Sequence, residues 1–437
     1  MIENRQLCFQ RSKLRIPDEL PDAVENVAPG CVLRWYVSRV GVEEIVVEAT
    51  IDDERLGEPH ESVAAQRYPG KSVVVSVIPT GVGCSIGGFA GDAAPVTRLL
   101  ASAVDYLVTN PNAVNASAFI NLGDNVLYVE GYCIDLFCRG MINLYLPHAN
   151  RVGVIVEASS EARLDIVFNV INAARAVHGV DIEQYVITDV PIGSRCRRNA
   201  SGGFTGTVDR PEVLYKACES LLRKGVDAIA VTTNIQDLPL DEYVLHFAGQ
   251  APNPLGGVEA IISHSIVNRF RVPAAHAPLL NLKELDLGEA VVDARAAGEM
   301  ASPSGLACVL LGLARAPQIA PRPGSQIRDI LNVNNLRAVV APAGCLGGIP
   351  TLFADRASIP VIAVASNESL FEVTAERLRL EHVIPVTSYA EAAGVLLALR
   401  EGLALQSLAR PLETLRYAAR QAVSPRLVEA TAREALV

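Results

Sequence analysis

Residues 72–115 read SVVVSVIPTGVGCSIGGFAGDAAPVTRLLASAVDYLVTNPNAVN, and the order of features in this stretch decides the fold class. Val73, Val74, Val75, Val77 and Ile78 form a nearly unbroken β-branched run, which suits a strand covered on both faces. Pro79 ends it. Gly81, Gly83, Gly87, Gly88 and Gly91 follow. Glycine admits positive φ and lets the backbone approach a ligand closely. Asp92 and Pro95 stand where a helix cap and an early proline belong. Val96, Leu99, Leu100 and Val104 keep helical spacing, and Val108 leads into Thr109-Asn110-Pro111-Asn112, a polar turn at a strand end. Strand, glycine loop, helix and strand make an α/β unit, and open α/β sheets bind ligands at the carboxyl ends of their strands.

Similar units recur to either side. Val152 to Val156, Glu161 to Val177 and Gln184 to Asp189 read as strand, helix and strand, the last ending in an acid. Asn199-Ala200-Ser201-Gly202-Gly203-Phe204-Thr205-Gly206 is a second glycine-rich loop, followed by a helix from Arg210 to Leu222 and a strand from Asp227 to Asn234. Leu336 to Pro342 and Pro360 to Ala365 read as two further strands, with the loop Gly344-Cys345-Leu346-Gly347-Gly348-Ile349-Pro350 between them. Before the central stretch, Val32 to Val37 and Glu43 to Ala49 read as strands, and Trp35 reads as packing. The expected architecture is α/β: two Rossmann-like, mainly parallel sheet regions with a small α+β segment at residues 1–70. The boundaries fall at 71–255 for a glycine-rich α/β domain and 256–437 for a second one closed by C-terminal helices. Residues 280–300 are acidic and helical in tendency, and Ser302-Pro303-Ser304-Gly305 opens the apolar run Leu306 to Leu313.

Composition narrows the function classes. Of 437 residues, half are hydrophobic and a fifth charged, ample for large cores. The formal net charge is −10, and the only local basic cluster is Arg195-Cys196-Arg197-Arg198, which suits a small anion better than nucleic acid. Neither glycine loop carries a G-x-x-x-x-G-K-[ST] or a strict G-x-G-x-x-G fingerprint. Nine scattered cysteines without a Cys-x-x-Cys pair argue for a reducing compartment and against structural zinc. The N-terminus lacks a signal-peptide core, and no apolar run approaches the ~20 residues of a membrane helix. The expectation is a cytoplasmic homo-oligomer without nucleic-acid or membrane partners.

The chemistry-bearing residues cluster at expected strand ends and loops. Glu130 and Asp135 follow the strand Asn125 to Tyr132, as candidate site carboxylates or as helix caps. Asp189 ends a strand. His264 lies on an apolar helix opened by Gly256-Gly257, and His276 in the alanine–proline segment Pro273 to Pro278. These two histidines suit metal ligation, acid–base work or structural hydrogen bonding. Glu259 is a third candidate divalent-metal ligand, although five positions along a helix of ~3.6 residues per turn set it about 140° from His264. Thr80, Gly81, Gly87, Gly88, Asp92, Asn110, Ser201, Arg315, Gly347 and Gly348 are the expected substrate contacts. Arg315 serves either as an anion clamp or in an ordinary ion pair. Cys84 and Cys345 each follow a buried strand and a proline, and thiols facing each other across one substrate carbon would serve a cofactor-independent racemase. As buried residues they are simply small apolar groups.

The chain resembles the uncharacterised family called domain of unknown function 3326, which occurs in bacteria and plant plastid lineages. The resemblance rests on Ile78-Pro79-Thr80-Gly81-Val82-Gly83, Ile86-Gly87-Gly88-Phe89-Ala90-Gly91-Asp92, Tyr128-Val129-Glu130-Gly131-Tyr132, Thr188-Asp189, Glu259-Ala260-Ile261-Ile262-Ser263-His264, Ala275-His276-Ala277-Pro278, Arg315-Ala316-Pro317-Gln318 and Gly347-Gly348. It covers about residues 70–400 in order. The family often has His where this chain has Asn110, and a small residue where it has Cys84. No established activity comes with it. From the residues, the leading expectation is a hydrolase or lyase on a small polar or anionic metabolite. In it, His264 or His276 acts as acid–base or metal ligand, with Asp189 or Glu130 as partner. The alternatives are the cysteine-based isomerase and a non-catalytic metabolite-binding oligomer.

Overall fold

The computed structural model describes residues 1–54, 70–111, 123–158, 161–236, 240–279, 291–301, 305–321 and 324–415. The expected helical character of 280–290, the Ser302-Pro303-Ser304 start and the C-terminal helix beyond residue 415 lie outside them. The chain is α/β, as its strand–helix alternation requires. Its largest parallel sheet has six strands in the order Val383–Val386, Val361–Val364, Leu336–Pro342, Val73–Ser76, Tyr106–Thr109 and Val126–Tyr128. Val73–Ser76 is buried along its whole length, which the β-branched run demanded. The chain starts at this central strand, works outward to Val126–Tyr128, returns to the centre at Leu336–Pro342 and works outward the other way. Loops leaving the two central strands therefore diverge and open a crevice, the topological switch point of doubly wound sheets.

A second parallel sheet orders Ala274–Pro278, Ala228–Thr233, Val152–Val156 and Gln184–Ile187. The sequence reading has His276 in a loop; here Ala274–Pro278 is a strand. Alanine disfavours strands intrinsically, but residues 274–277 are buried and pair in parallel with Ile229–Thr232, so tertiary burial overrides propensity.

The third sheet is mainly antiparallel and orders Ile235–Gln236, Ser194–Arg198, Phe204–Val208, Ile2–Gln10, Glu44–Asp52 and Cys31–Val40. Strands Ser194–Arg198 and Phe204–Val208 form a hairpin, so the second glycine-rich loop is its turn, with Gly202 at φ +87° and Asn199 N donating to Gly203 O at 2.9 Å. Within the basic cluster, Arg195 pairs with Asp209 (3.1 Å) and Arg198 with Glu242 (3.4 Å). The six-stranded parallel sheet takes strands from both sides of residue 255, and the N-terminal strands share a sheet with residues 194–236. Trp35 is 2% exposed and packs in the core.

Helix Gly256–Phe270 threads between the sheets. It packs on Phe204–Val208, on Ala274–Pro278 and on helix Gly131–Cys138, which is why nearly all of its faces are buried. Its start fits this closely because a Cβ on Gly257 would lie 2.2 Å from Phe204 O. His264 is thereby held in the interior, where both parallel sheets and the antiparallel one contribute side chains.

Candidate functional site

The crevice holds a cleft with two lobes that share Arg34, Val77, Pro79, Thr80, Ala260 and His264. The polar lobe, a cavity of about 80 Å³, adds Asn110, Glu130, Glu259 and His276. The more apolar lobe, about 110 Å³, adds Tyr36, Phe204, Ile261, Cys345, Gly347, Gly348 and Phe371. Parallel strands deliver Thr80, Asn110 and Cys345 at their carboxyl ends, helix Gly256–Phe270 supplies Glu259 and His264, and the antiparallel sheet supplies Arg34 and Tyr36.

Glu130 serves two purposes at once. Its Oε2 accepts from Tyr132 N (2.9 Å) and Cys133 N (3.3 Å), capping helix Gly131–Cys138, while Oε1 is hydrogen-bonded to His264 Nδ1. Both side chains are nearly fully buried. Beside them, Arg34 Nε donates to Asp135 Oδ2 at 3.0 Å. Burial raises the Asp135 carboxyl, and the guanidinium opposes that shift. A Cβ on Gly131 would lie 2.5 Å from Arg34 Nη1 and 3.2 Å from His264 Cε1, so the bare backbone at this helix start lets guanidinium and imidazole approach each other. The carboxyls of Glu130 and Asp135, the Arg34 guanidinium and the His264 imidazole thus gather at one helix N-terminus.

His276 faces the same lobe from the second sheet. Its Nε2 bonds Thr233 Oγ1 at 2.9 Å, and its buried Nδ1 lies 3.7 Å from Glu259 Oε2, too far for a hydrogen bond. Glu157, at the end of strand Val152–Val156, is fully buried and accepts from Ile192 N and Asn234 N, both at 2.6 Å. Burial raises its carboxyl, and the two amides and nearby His276 counteract this. Among the described residues no three His, Cys, Asp or Glu side chains converge as a metal-ligand group. His264, His276 and Glu259 line one lobe, but His264 is paired with Glu130 while His276 faces Glu259 and bonds Thr233.

The remaining expected residues divide. Thr80 lines both lobes. Asn110 also lines the polar lobe, but its amide is spent on the neighbouring strand end: Oδ1 accepts from Ile78 N (3.0 Å) and Nδ2 donates to Ile78 O (2.9 Å). Gly347 and Gly348 line the apolar lobe, where Gly347 O accepts from Val37 N at 2.9 Å. Gly81 is at φ +75°, and its carbonyl accepts from Phe204 N. Gly87 donates its amide to Asp92 Oδ1 (2.6 Å), so Asp92 ties the loop together rather than capping helix Ala94–Ala101. Gly88 packs against the Cys84 carbonyl, where a Cβ would come within 2.3 Å. Ser201 donates to Asn199 Oδ1 (2.7 Å) in the hairpin turn, away from both lobes.

Two expected residues stand outside the cleft. Asp189 has an 89% exposed side chain on the edge of the second sheet, 3.7 Å from Lys216. Arg315 is exposed and paired with Asp124, as the ordinary ion-pair reading had it. The guanidinium in the cleft is instead Arg34, and the buried strand-end acid of the second sheet is Glu157. Both left a trace in the sequence: Arg34 interrupts the apolar run CVLRWYV, and Glu157 directly follows VGVIV.

Cys84 and Cys345 come side by side across the switch point: residues flanking Cys84 bond the 368–370 segment (Ser85 N to Glu368 O, 2.8 Å; Leu370 N to Val82 O, 3.0 Å), and Cys345 Sγ lies 3.0 Å from Ser369 Oγ of that segment. Their proximity is what the isomerase alternative asked for. Yet Cys345 lines the apolar lobe and Cys84 does not, so the two thiols do not flank that space.

Among the described residues no helix is long and apolar enough to cross a membrane. No solved structure matches the chain. An uncharacterized lipoprotein of Synechococcus sp. is 39% identical over 358 residues, 80% of this chain and 98% of that protein. The family profile described as "Protein of unknown function (DUF3326)" matches residues 73–409, the span that builds the parallel sheets and all of the cleft except what the N-terminal strands contribute, among it Asn4, Arg34, Tyr36 and Thr50. The chain therefore belongs to the DUF3326 family.

Proposed function

We propose that the cleft binds a small polar or anionic metabolite and transforms it by acid–base chemistry of the hydrolase or lyase type. The observation that carries this reading is the buried Glu130–His264 pair beside the Arg34 guanidinium. A carboxylate on Nδ1 fixes the imidazole's orientation and tautomer, leaving Nε2 to take and return a proton. Arg34 supplies a fixed positive charge for a carboxylate or phosphate, the anions its planar fork suits. Thr80 and the opposed Glu259 and His276 complete the polar lobe around the reacting atoms. A divalent metal is not required by this chemistry.

The homo-oligomer and the cytoplasmic location belong to the same proposal. All nine cysteines are free, which favours a reducing compartment. The Synechococcus relative is named a lipoprotein, and if this chain shares that property it is tethered to a membrane surface instead. Cell fractionation separates the two.

The experiment is a thermal-shift panel of small carboxylates, phosphate esters and inorganic phosphate, run on the wild type and on Arg34→Gln. The reading expects at least one anion to raise the melting temperature of the wild type and to leave Arg34→Gln unmoved. If no anion stabilises the protein, or all stabilise both proteins equally, the cleft is not an anion site. Arg34-dependent binding without turnover would favour the non-catalytic binding protein.

A further inference from the structure

The loop after strand Val73–Ser76 carries Cys84, and the loop after strand Leu336–Pro342 carries Cys345. These strands are neighbours at the centre of the six-stranded sheet, so their loops leave side by side although 261 positions separate the two thiols. The Cys84 loop is bonded to the segment carrying Ser369, through Ser85 N to Glu368 O (2.8 Å) and Leu370 N to Val82 O (3.0 Å), and Cys345 Sγ lies 3.0 Å from Ser369 Oγ, which brings the two thiols together. Their surroundings are unequal. Cys84 is 1% exposed and its Sγ lies 3.8 Å from Pro79 O. Cys345 is half-buried and forms part of the wall of the apolar lobe.

That inequality sets different tendencies to ionise. Hydrogen bonding from Cys84, and then from the Ser369 hydroxyl, holds the Cys345 thiol below its ordinary value against the effect of burial. The same contact, together with burial, pushes Cys84 well above. A thiolate is the nucleophile in sulfur chemistry, and an adjacent protonated thiol is the usual resolving partner.

We propose that Cys345 and Cys84 form a dithiol redox site facing the cleft, in which Cys345 attacks a hydroperoxide and Cys84 resolves the product. The Cys345 thiolate attacks one peroxide oxygen and the O–O bond breaks. Cys345 becomes a sulfenic acid, and the departing alkoxide or hydroxide takes a proton from solvent. Cys84 then loses its proton and displaces hydroxide from the sulfenic sulfur, giving a Cys84–Cys345 disulfide and water. The hydroperoxide gains two electrons and the thiol pair loses two. A small-molecule thiol returns the pair to the reduced state by exchange. This site goes beyond the acid–base reading and does not depend on it, since Arg34, Glu130 and His264 take no part in the sulfur steps.

The test treats the reduced full-length protein with hydrogen peroxide, blocks remaining thiols by alkylation and maps peptides without reduction. A crosslink between the Cys84 and Cys345 peptides is expected at peroxide doses that leave the exposed Cys8 reduced, reversed by dithiothreitol. In Cys84→Ser, Cys345 accumulates as a sulfenic acid trapped by dimedone, and in Cys345→Ser, Cys84 stays reduced. The wild-type map needs no variant, so a variant that fails to fold does not remove the test. If Cys8 oxidises first, or oxidised Cys345 pairs with a thiol other than Cys84, the proposal is overturned.

Discussion

Glu130 and His264 lie 134 positions apart and meet in the interior through Oε1 and Nδ1, while the other oxygen of Glu130 caps helix Gly131–Cys138. One side chain thus joins the stability of a helix to the orientation of the candidate acid–base. The two roles separate by substitution. Glu130→Ala removes the cap and should cost about 1 kcal/mol from that loss alone, plus whatever the unpaired imidazole adds. Glu130→Gln keeps an acceptor for the Tyr132 and Cys133 amides. It should unfold near the wild-type midpoint in urea while losing the carboxylate on which the proposed acid–base role of His264 depends. Equal destabilisation by both variants would show that the negative charge itself holds the fold.

Arg34 and Asp135 form an ion pair beside Glu130 and His264, and Asp135 Oδ1 has no hydrogen-bond partner of its own. Removing the guanidinium leaves a carboxylate in an apolar interior. Arg34→Gln should therefore destabilise by about 3 kcal/mol, since breaking a buried pair strands the surviving charge. Arg34→Gln combined with Asp135→Asn should recover much of that loss. A denaturation cycle over the four proteins measures the coupling; additive effects would mean the two groups are independent.

Gly87 sits at φ +90°, and a Cβ there would lie 2.2 Å from Ile78 Cγ2. Backbone strain and overpacking act together at this position. Gly87→Ala should cost at least about 2 kcal/mol. A thermal midpoint within a degree of the wild type would contradict the close packing of this loop.

Asp92 is pushed up to about 7 by burial, against the amides of Gly87 and Phe89 that favour its charged form. In the unfolded chain it titrates near ~4. Between those values the folded state holds a proton that the unfolded state has released. Stability contributed by Asp92 is therefore fully present below about pH 4 and is lost as pH rises to about 7, at up to about 1.4 kcal/mol per pH unit. Asp92→Asn keeps a neutral acceptor for the loop amides. Its stability profile should be flatter between pH 4 and 7, and its midpoint higher than wild type at pH 8. A parallel profile for the two proteins would exclude Asp92 as the titrating group.

The sequence made the local units legible because each is written in local physics. The β-branched run at 73–78, the proline that ends it and the helical spacing of 96–104 together specify strand, loop and helix within about thirty residues. What pairs with Val73–Ser76 is not written there. Its partner, Leu336–Pro342, lies more than 250 residues away, and the choice is made by burial of both faces during assembly. The site shows the same division. His264, Glu130, Thr80 and Cys345 are chemically conspicuous residues next to strand or helix ends, so they could be named. Arg34 could not, because its strand enters from a different sheet and its carboxylate partner is 101 positions distant. Asp189 and Arg315 were equally conspicuous, but they end elements at solvent-facing edges. Their partners Lys216 and Asp124 are surface charges.

In the proposed function, Arg34, Glu130 and His264 make one catalytic cleft. The most direct measurement takes the anion with the largest Arg34-dependent stabilisation and follows it by proton NMR with wild type and with His264→Ala. New product resonances are expected with the wild type. His264→Ala should give no detectable conversion, or a rate at least 100-fold lower, as loss of a positioned general acid–base implies. The bound anion persisting unchanged with the wild type, or disappearing equally fast with His264→Ala, would contradict it.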